Sequence, residues 1–305
     1  MVVKTLGELA ALLQGSLNNP EYASRTINVV TGLDAASQHI LSQALTFAEK
    51  ESSLKEAEAL GFSAVVIPEG LDTEIPAIKV KNARIAFAVL LGLFYPIHLH
   101  EPGIHPSAHV SDSAQIAATA YIGPFAIVGD NAIIADNCQI MAHASVGSDS
   151  SIGAHTRLMP GVSVGEHVTL GSKSLVGPLT IIEDDSTLGD DIEIGARCFI
   201  GNHVLIQDGV RIDNLACIEE GAKIAPLAIV ISQNCLQQNV SLGKLSITAG
   251  QCLVEESRKI GDFATVAARS RVDKDIPAGQ AIWSGDPVDT HKASMRQTAM
   301  RQLPL

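Results

Sequence analysis

The chain has 305 residues, a formal net charge of -12 and a hydrophobic fraction of 46%, enough to bury a sizeable core in two modest domains or in one repeat array with an appendage. Acidity without a concentrated basic face excludes a nucleic-acid binder, although Lys and Arg outnumber Asp and Glu, eight to five, from Arg258 onward. No run of eighteen uninterrupted apolar residues suggests a membrane span, and "MVVKTLGELAALLQG" lacks a charged leader, a long apolar run and a cleavage site, so a cytoplasmic location is expected.

Residues 1–97 carry no sixfold pattern and read as a small α/β domain. In "KTLGELAALLQG", Leu6, Leu9, Ala10 and Leu13 fall at helical spacing, with Gly15 as the expected C-cap. "SLKEAEALG" predicts a second helix ending at Gly61, and "SAVVIP" predicts a short buried strand. "ARIAFAVLLGLFY" predicts a third helix, closing before Pro96.

From Ile104 to Leu242 every sixth residue is aliphatic, twenty-four in succession, and after Thr248 the phase resumes at Val254, Ile260, Val266 and Val272. The residue two positions earlier is nearly always small, as at Ala108, Ala114, Ala120 and Ala126. Cys138, Cys198 and Cys252 fall in that column and read as small core residues. Glycine often follows the aliphatic, as at Gly147, Gly153 and Gly171, where a tight turn is expected. Inward aliphatics, short strands and turns at a period of six predict a hexapeptide β-helix over residues 98–275. Residues 276–305 read as a loop followed by a short helix on Met295, Ala299 and Leu303. The cysteines show no metal spacing, so neither a metal site nor a disulfide is expected. His98, His100, His105 and His109 belong largely to the entry of the repeat and are not read as ligands.

The order of "TLGELAALLQG", "LTFAEKESSLKEAEALGFSAVVIP", "ARIAFAVLLGLFYP", "GIHPSAHVSDSAQI", "VRIDN" and "IPAGQAIWSGDPV" resembles the UDP-3-O-(3-hydroxyacyl)glucosamine N-acyltransferases of lipid A synthesis along nearly the whole chain. The resemblance implies a mainly β fold: a left-handed parallel β-helix with three hexapeptides per coil, here about eight coils, a small N-terminal α/β domain and a short C-terminal helix. It further implies a homotrimer with active sites in grooves between subunits. The N-terminal domain would hold the uridine of a nucleotide sugar. The coils would hold the glucosamine and the pantetheine arm of acyl carrier protein, whose thioester is the donor, so no separate cofactor is implied. A histidine would act as general base on the sugar amine.

That histidine follows a family segment resembling "IDNxxQIAHNV". Here "IDNLACIEEGA" matches at Ile212, Asp213, Asn214 and Ile218 and places Glu220 where the histidine belongs. A carboxylate with an ordinary pKa of ~4.3 is a base about two units weaker than imidazole. The family's "GSDGFGF" excursion has no counterpart in the unbroken "SLVGPLTIIEDDSTLG". Phe47 matches an aromatic that stacks on uracil, but its expected aromatic partner is Ser53. His143, His155, His167 and His203 each lie three residues after an aliphatic, near a corner. His143, in "IMAHASVG", superficially resembles the histidine motif of related O-acyltransferases and is the alternative candidate base.

Two readings follow. One is an acyltransferase with an altered active site, using Glu220 or His143. The other is a noncatalytic trimeric paralogue acting as a binding or regulatory scaffold, with acyl carrier protein or a nucleotide sugar among its possible partners.

Overall fold

A computed structural model describes residues 2–33, 41–95, 99–283 and 286–288. The chain divides into two compact units, residues 1–98 and 99–305.

The first unit is built on a five-stranded sheet with the order Ser16–Leu17, Ala77–Val80, Ala64–Pro68, Ala44–Phe47, Val29–Val30. Its central strand, Ala64–Pro68 within the predicted "SAVVIP", has Ala64, Val65, Val66 and Ile67 fully buried. All neighbouring strands are parallel except the first pair, which is antiparallel. The first helix, Leu6–Leu12, begins at a capping box in which Thr5 and Glu8 satisfy each other's backbone N–H groups. It stops earlier than expected, and Gly15 is not its cap. Gln14 takes the left-handed conformation, φ 52. Gly15 lies against the strand Ala77–Val80, where a Cβ would sit 2.6 Å from the carbonyl oxygen of Lys79. The second helix, Glu51–Leu60, ends as expected on Gly61 at φ 81. The third, Ala83–Phe94, is capped by the Asn82 side chain, which accepts from the Ile85 N–H at 3.0 Å.

The second unit is a three-faced parallel β-solenoid. Two-residue strands recur every six residues from Gly103–Ile104 to Arg271–Val272. Each pairs in register with the strand eighteen residues away; with Ala281–Trp283 and Asp286–Val288 added at the end of the face that starts at Gly103–Ile104, the sheets have 9, 12 and 10 strands. We call the face running from Gly103–Ile104 the first, that from His109–Val110 the second and that from Gln115–Ile116 the third. The coils exceed the expected eight because the register does not break at Thr248. Thr248 is fully buried, and its hydroxyl and carbonyl accept at 3.2 and 3.0 Å from the Asn234 amide. Asn234 in turn accepts from the Cys252 N–H at 2.7 Å. Two polar side chains thus replace an aliphatic and a small residue as a matched pair.

The aliphatic column and the small column both point inward and form one continuous core in which Cys138, Cys198 and Cys252 are buried. The glycine expectation needs correction. Gly153 and Gly177 are not the left-handed residues. They sit where consecutive coils approach, and a Cβ would lie 2.5 Å from the carbonyl carbon of Gly171 or Gly195. The left-handed residue comes two positions later, as at Asn131, Asp149 and His167. Asn, Asp and His are the non-glycine types that tolerate this conformation best. The expected C-terminal helix at Met295, Ala299 and Leu303 lies outside the described residues.

Candidate functional site

One of the segments that carry the resemblance, "VRIDN", leaves the first face and enters the corner toward the second. Arg211 and Ile229 point outward from neighbouring strands, while Ile212 and Val230 beside them are buried. Together with Glu193, Asp213, Asn214 and Ile231 they line a groove of about 530 Å³. Arg211 is clamped on one side: its Nη2 lies 3.1 Å from Asp191 Oδ1 and its Nε 3.5 Å from Glu193 Oε2. Asp213 Oδ2 accepts from the Ser232 hydroxyl at 2.7 Å, and its Oδ1 accepts from the Asn214 backbone and side-chain N–H groups, each at 2.7 Å. These bonds, the Ser232 bond first, hold the Asp213 carboxyl below its ordinary range. Asn214 Oδ1 accepts from the Ala196 N–H at 2.7 Å and ties the corner to the preceding coil. The groove therefore offers a fixed carboxylate, a guanidinium and an apolar wall formed by Ile229 and Ile231.

Glu220 does not line it. In the same coil the chain crosses the second face as Cys217–Ile218 before reaching the next corner, where Glu220 is exposed on the turn. The two adjacent glutamates diverge. Glu219 is half-buried beside the second face, with Oε1 3.9 Å from Cys235 Sγ. Within one chain Glu220 and Asp213 stand at opposite edges of the second face.

His143 is exposed at a corner, with φ 59, and its ring stacks on Phe125 with centroids 5.1 Å apart. Four coils separate it from Asn214, about 19 Å at the ~4.8 Å spacing of paired strands. Two of the other corner histidines share a local partner: Asp185 lies 3.6 Å from His167 and 3.9 Å from His203. At the solenoid entry, His100 stacks on Tyr121 and His105 bonds to Ser107, so these histidines serve separate contacts.

In the first unit, Phe47 stacks on Phe87 with centroids 4.5 Å apart. One ring face is thereby spent on packing. Ser53, which replaces the expected second aromatic, belongs to the helix cap, accepting from the Lys50 N–H at 3.3 Å and donating to the Lys50 carbonyl at 2.9 Å.

One constellation escaped the sequence reading. Cys217 and Cys235 are register partners on the second face, and their sulfurs and a Glu219 oxygen all lie within 4.8 Å of one another. Their separation by eighteen residues, one coil, is the signal that would have found them.

No protein-family model matches the chain. Over 118 residues it is 34% identical to UDP-3-O-acylglucosamine N-acyltransferase 1 of Legionella pneumophila (strain Paris), a match covering 38% of this chain and 32% of that protein. The UDP-3-O-acylglucosamine N-acyltransferase of Alcanivorax borkumensis is also 34% identical over 118 residues, 38% of this chain and 33% of that protein. The matches thus span a third or so of these curated relatives. Among solved structures, Arabidopsis UDP-N-acetylglucosamine acyltransferase aligns with a TM-score of 0.45 at 21% identity, covering 64% of this chain and 77% of that one. For UDP-N-acetylglucosamine O-acyltransferase of Moraxella catarrhalis the TM-score is 0.39 at 24% identity, with 64% and 77% covered.

Proposed function

We propose that this chain is an acyltransferase-like protein related to the N-acyltransferases of lipid A synthesis, with an altered active site, working as a cytoplasmic homotrimer. The observation that supports this is the groove at Arg211, Asp213 and Asn214, built from one of the segments that carry the family resemblance. Its parts suit an acylation ligand. Ile229 and Ile231 offer an apolar wall to an acyl chain or a pantetheine stem. The Asp213 carboxylate, held ionised by three hydrogen bonds, serves as an acceptor that orients an amine or hydroxyl; it is not a proton carrier at neutral pH.

The base is the altered part. Glu220 stands at the histidine position, and because it and Asp213 occupy opposite edges of one face, a groove containing both requires a second subunit. In a trimer, one chain's Glu220 would complete its neighbour's groove and accept the amine proton as the amine attacks the thioester. His143, four coils away and stacked on Phe125, is the weaker candidate. Phe47 would offer its remaining ring face to a uracil.

The second reading is a noncatalytic scaffold, and the exposure of Glu220 on its turn favours it. The deciding experiment is transfer of a 3-hydroxyacyl group from acyl carrier protein to the amine of a UDP-glucosamine derivative, alongside calorimetry with UDP-N-acetylglucosamine. Turnover that is lost in Glu220→Gln and kept in His143→Ala supports the acyltransferase. Nucleotide-sugar binding lost in Phe47→Ala places the uridine. Absence of both turnover and binding at millimolar ligand supports the scaffold.

A further inference from the structure

The outward column of the second face runs Ile181, Phe199, Cys217, Cys235, Leu253, each in register with the next. The two cysteines are unlike the other three. Cys138, Cys198 and Cys252 fill the inward small column and are buried, whereas Cys217 and Cys235 stand half-buried on the outer surface. Glu219, the residue after the Cys217–Ile218 strand, bends back along this face so that Oε1 reaches 3.9 Å from Cys235 Sγ. Phe199 precedes the thiol pair and Leu253 follows it, so the three polar ligand atoms sit within an apolar frame. A packing role would be met by any small side chain in this column, as Ser145 and Ser163 meet it earlier on the same face.

We propose that Cys217, Glu219 and Cys235 form a zinc site, with two thiolates and one carboxylate as protein ligands and a water in the fourth position. Tetrahedral zinc with Zn–S near 2.3 Å brings two thiolate sulfurs to about 3.8 Å from each other. The three ligand atoms already lie within 4.8 Å of one another, so rotamer adjustment alone closes the site. The donor set selects the metal: thiolates favour zinc over magnesium or calcium, and a carboxylate is an ordinary third zinc ligand. Charge is consistent, since two thiolates and a carboxylate around a divalent ion leave one net negative charge. Binding releases the two thiol protons to solvent, so uptake strengthens as pH rises. Backbone pairing of Cys217 with Cys235 sets the ligand spacing before any metal arrives. Three protein ligands with an open position match the arrangement of a reactive zinc more closely than that of a closed structural one. The site is independent of the acyltransferase reading, because it includes none of the groove residues.

The test uses the full chain, stripped of metal under reductant and titrated with zinc against a chromophoric chelator, then with cobalt as a spectroscopic substitute. The expected result is one ion per chain and thiolate-to-cobalt charge-transfer absorption. Cys217→Ser and Cys235→Ser each abolish both, and Glu219→Gln weakens zinc by roughly tenfold or more, the scale already reached on losing outer-shell partners. Zinc uptake that survives the double Cys→Ser substitution, or cobalt binding without thiolate absorption, overturns the proposal. So does a mass two hydrogens lower in the untreated protein that resists reductant, which identifies a disulfide. The cobalt spectrum of the unsubstituted chain decides the matter even if a variant folds poorly.

Discussion

The hydroxyl of Ser232 donates to Oδ2 of Asp213 at 2.7 Å, linking two consecutive coils beside the groove. It is the largest cause of the depressed Asp213 pKa, ahead of the Asn214 N–H. A depressed carboxyl pKa contributes stability above its unfolded value and loses that contribution as pH falls through the folded value. Carboxyl NMR titration should therefore place the Asp213 midpoint below 3.8. Ser232→Ala should move it upward and remove part of the resistance to acid.

Cys235 shows the opposite perturbation. Burial first, then Cys217 and Glu219, push its thiol up to about 11. The reactive thiolate is thus scarce at neutral pH in the metal-free chain. Alkylation by iodoacetamide, followed by peptide mass spectrometry, should rise through about pH 11 at Cys235. In Glu219→Gln the rise should come at lower pH, because the neighbouring negative charge is gone.

Two glycines should respond oppositely to alanine. Gly92 lies in the helix Ala83–Phe94, where a Cβ would have no neighbour within 4 Å outside the helix backbone. Gly92→Ala should stabilise by about 0.5–1 kcal/mol, from lower chain entropy in the unfolded state and better helix propensity. At Gly153 the same methyl meets the backbone of the next coil, which has no freedom to retreat. Gly153→Ala should cost about 1–3 kcal/mol or more. Urea unfolding midpoints, followed by circular dichroism, measure both.

The Asn234–Thr248 pair gives a coupling test. Asn234→Ala should cost about 1–3 kcal/mol, since it strips the Cys252 N–H of its buried acceptor and removes the amide donor to Thr248. Adding Thr248→Val to that variant should recover part of the loss by restoring an apolar anchor. Thr248→Val alone should cost little, because the two Asn234 amide hydrogens keep the carbonyls of Ile231 at 2.6 Å and of residue 248 at 3.0 Å as acceptors. Additive losses in the double-mutant cycle would show that the two side chains are not a unit.

Much of this fold is legible in the residues because a period of six is a local instruction. Each anchor's inward direction, the burial of Cys138, Cys198 and Cys252, and the helix ending at Gly61 depend only on neighbours a few positions away. Glycine after the anchor was visible too, but its reason was not. The close approach of Gly153 to Gly171 exists only once coils are stacked. The same holds at the candidate sites. The sequence alone marks "VRIDN" and the change to Glu220. The tertiary structure decided that Asp213 and Glu220 lie at opposite edges of one face and that Glu219 turns toward two thiols. It also decided that Asn234 meets Thr248. Those relationships link residues about one coil apart in the chain or on separate corners, and side-chain neighbours across coils are set by strand pairing, which a local period does not encode.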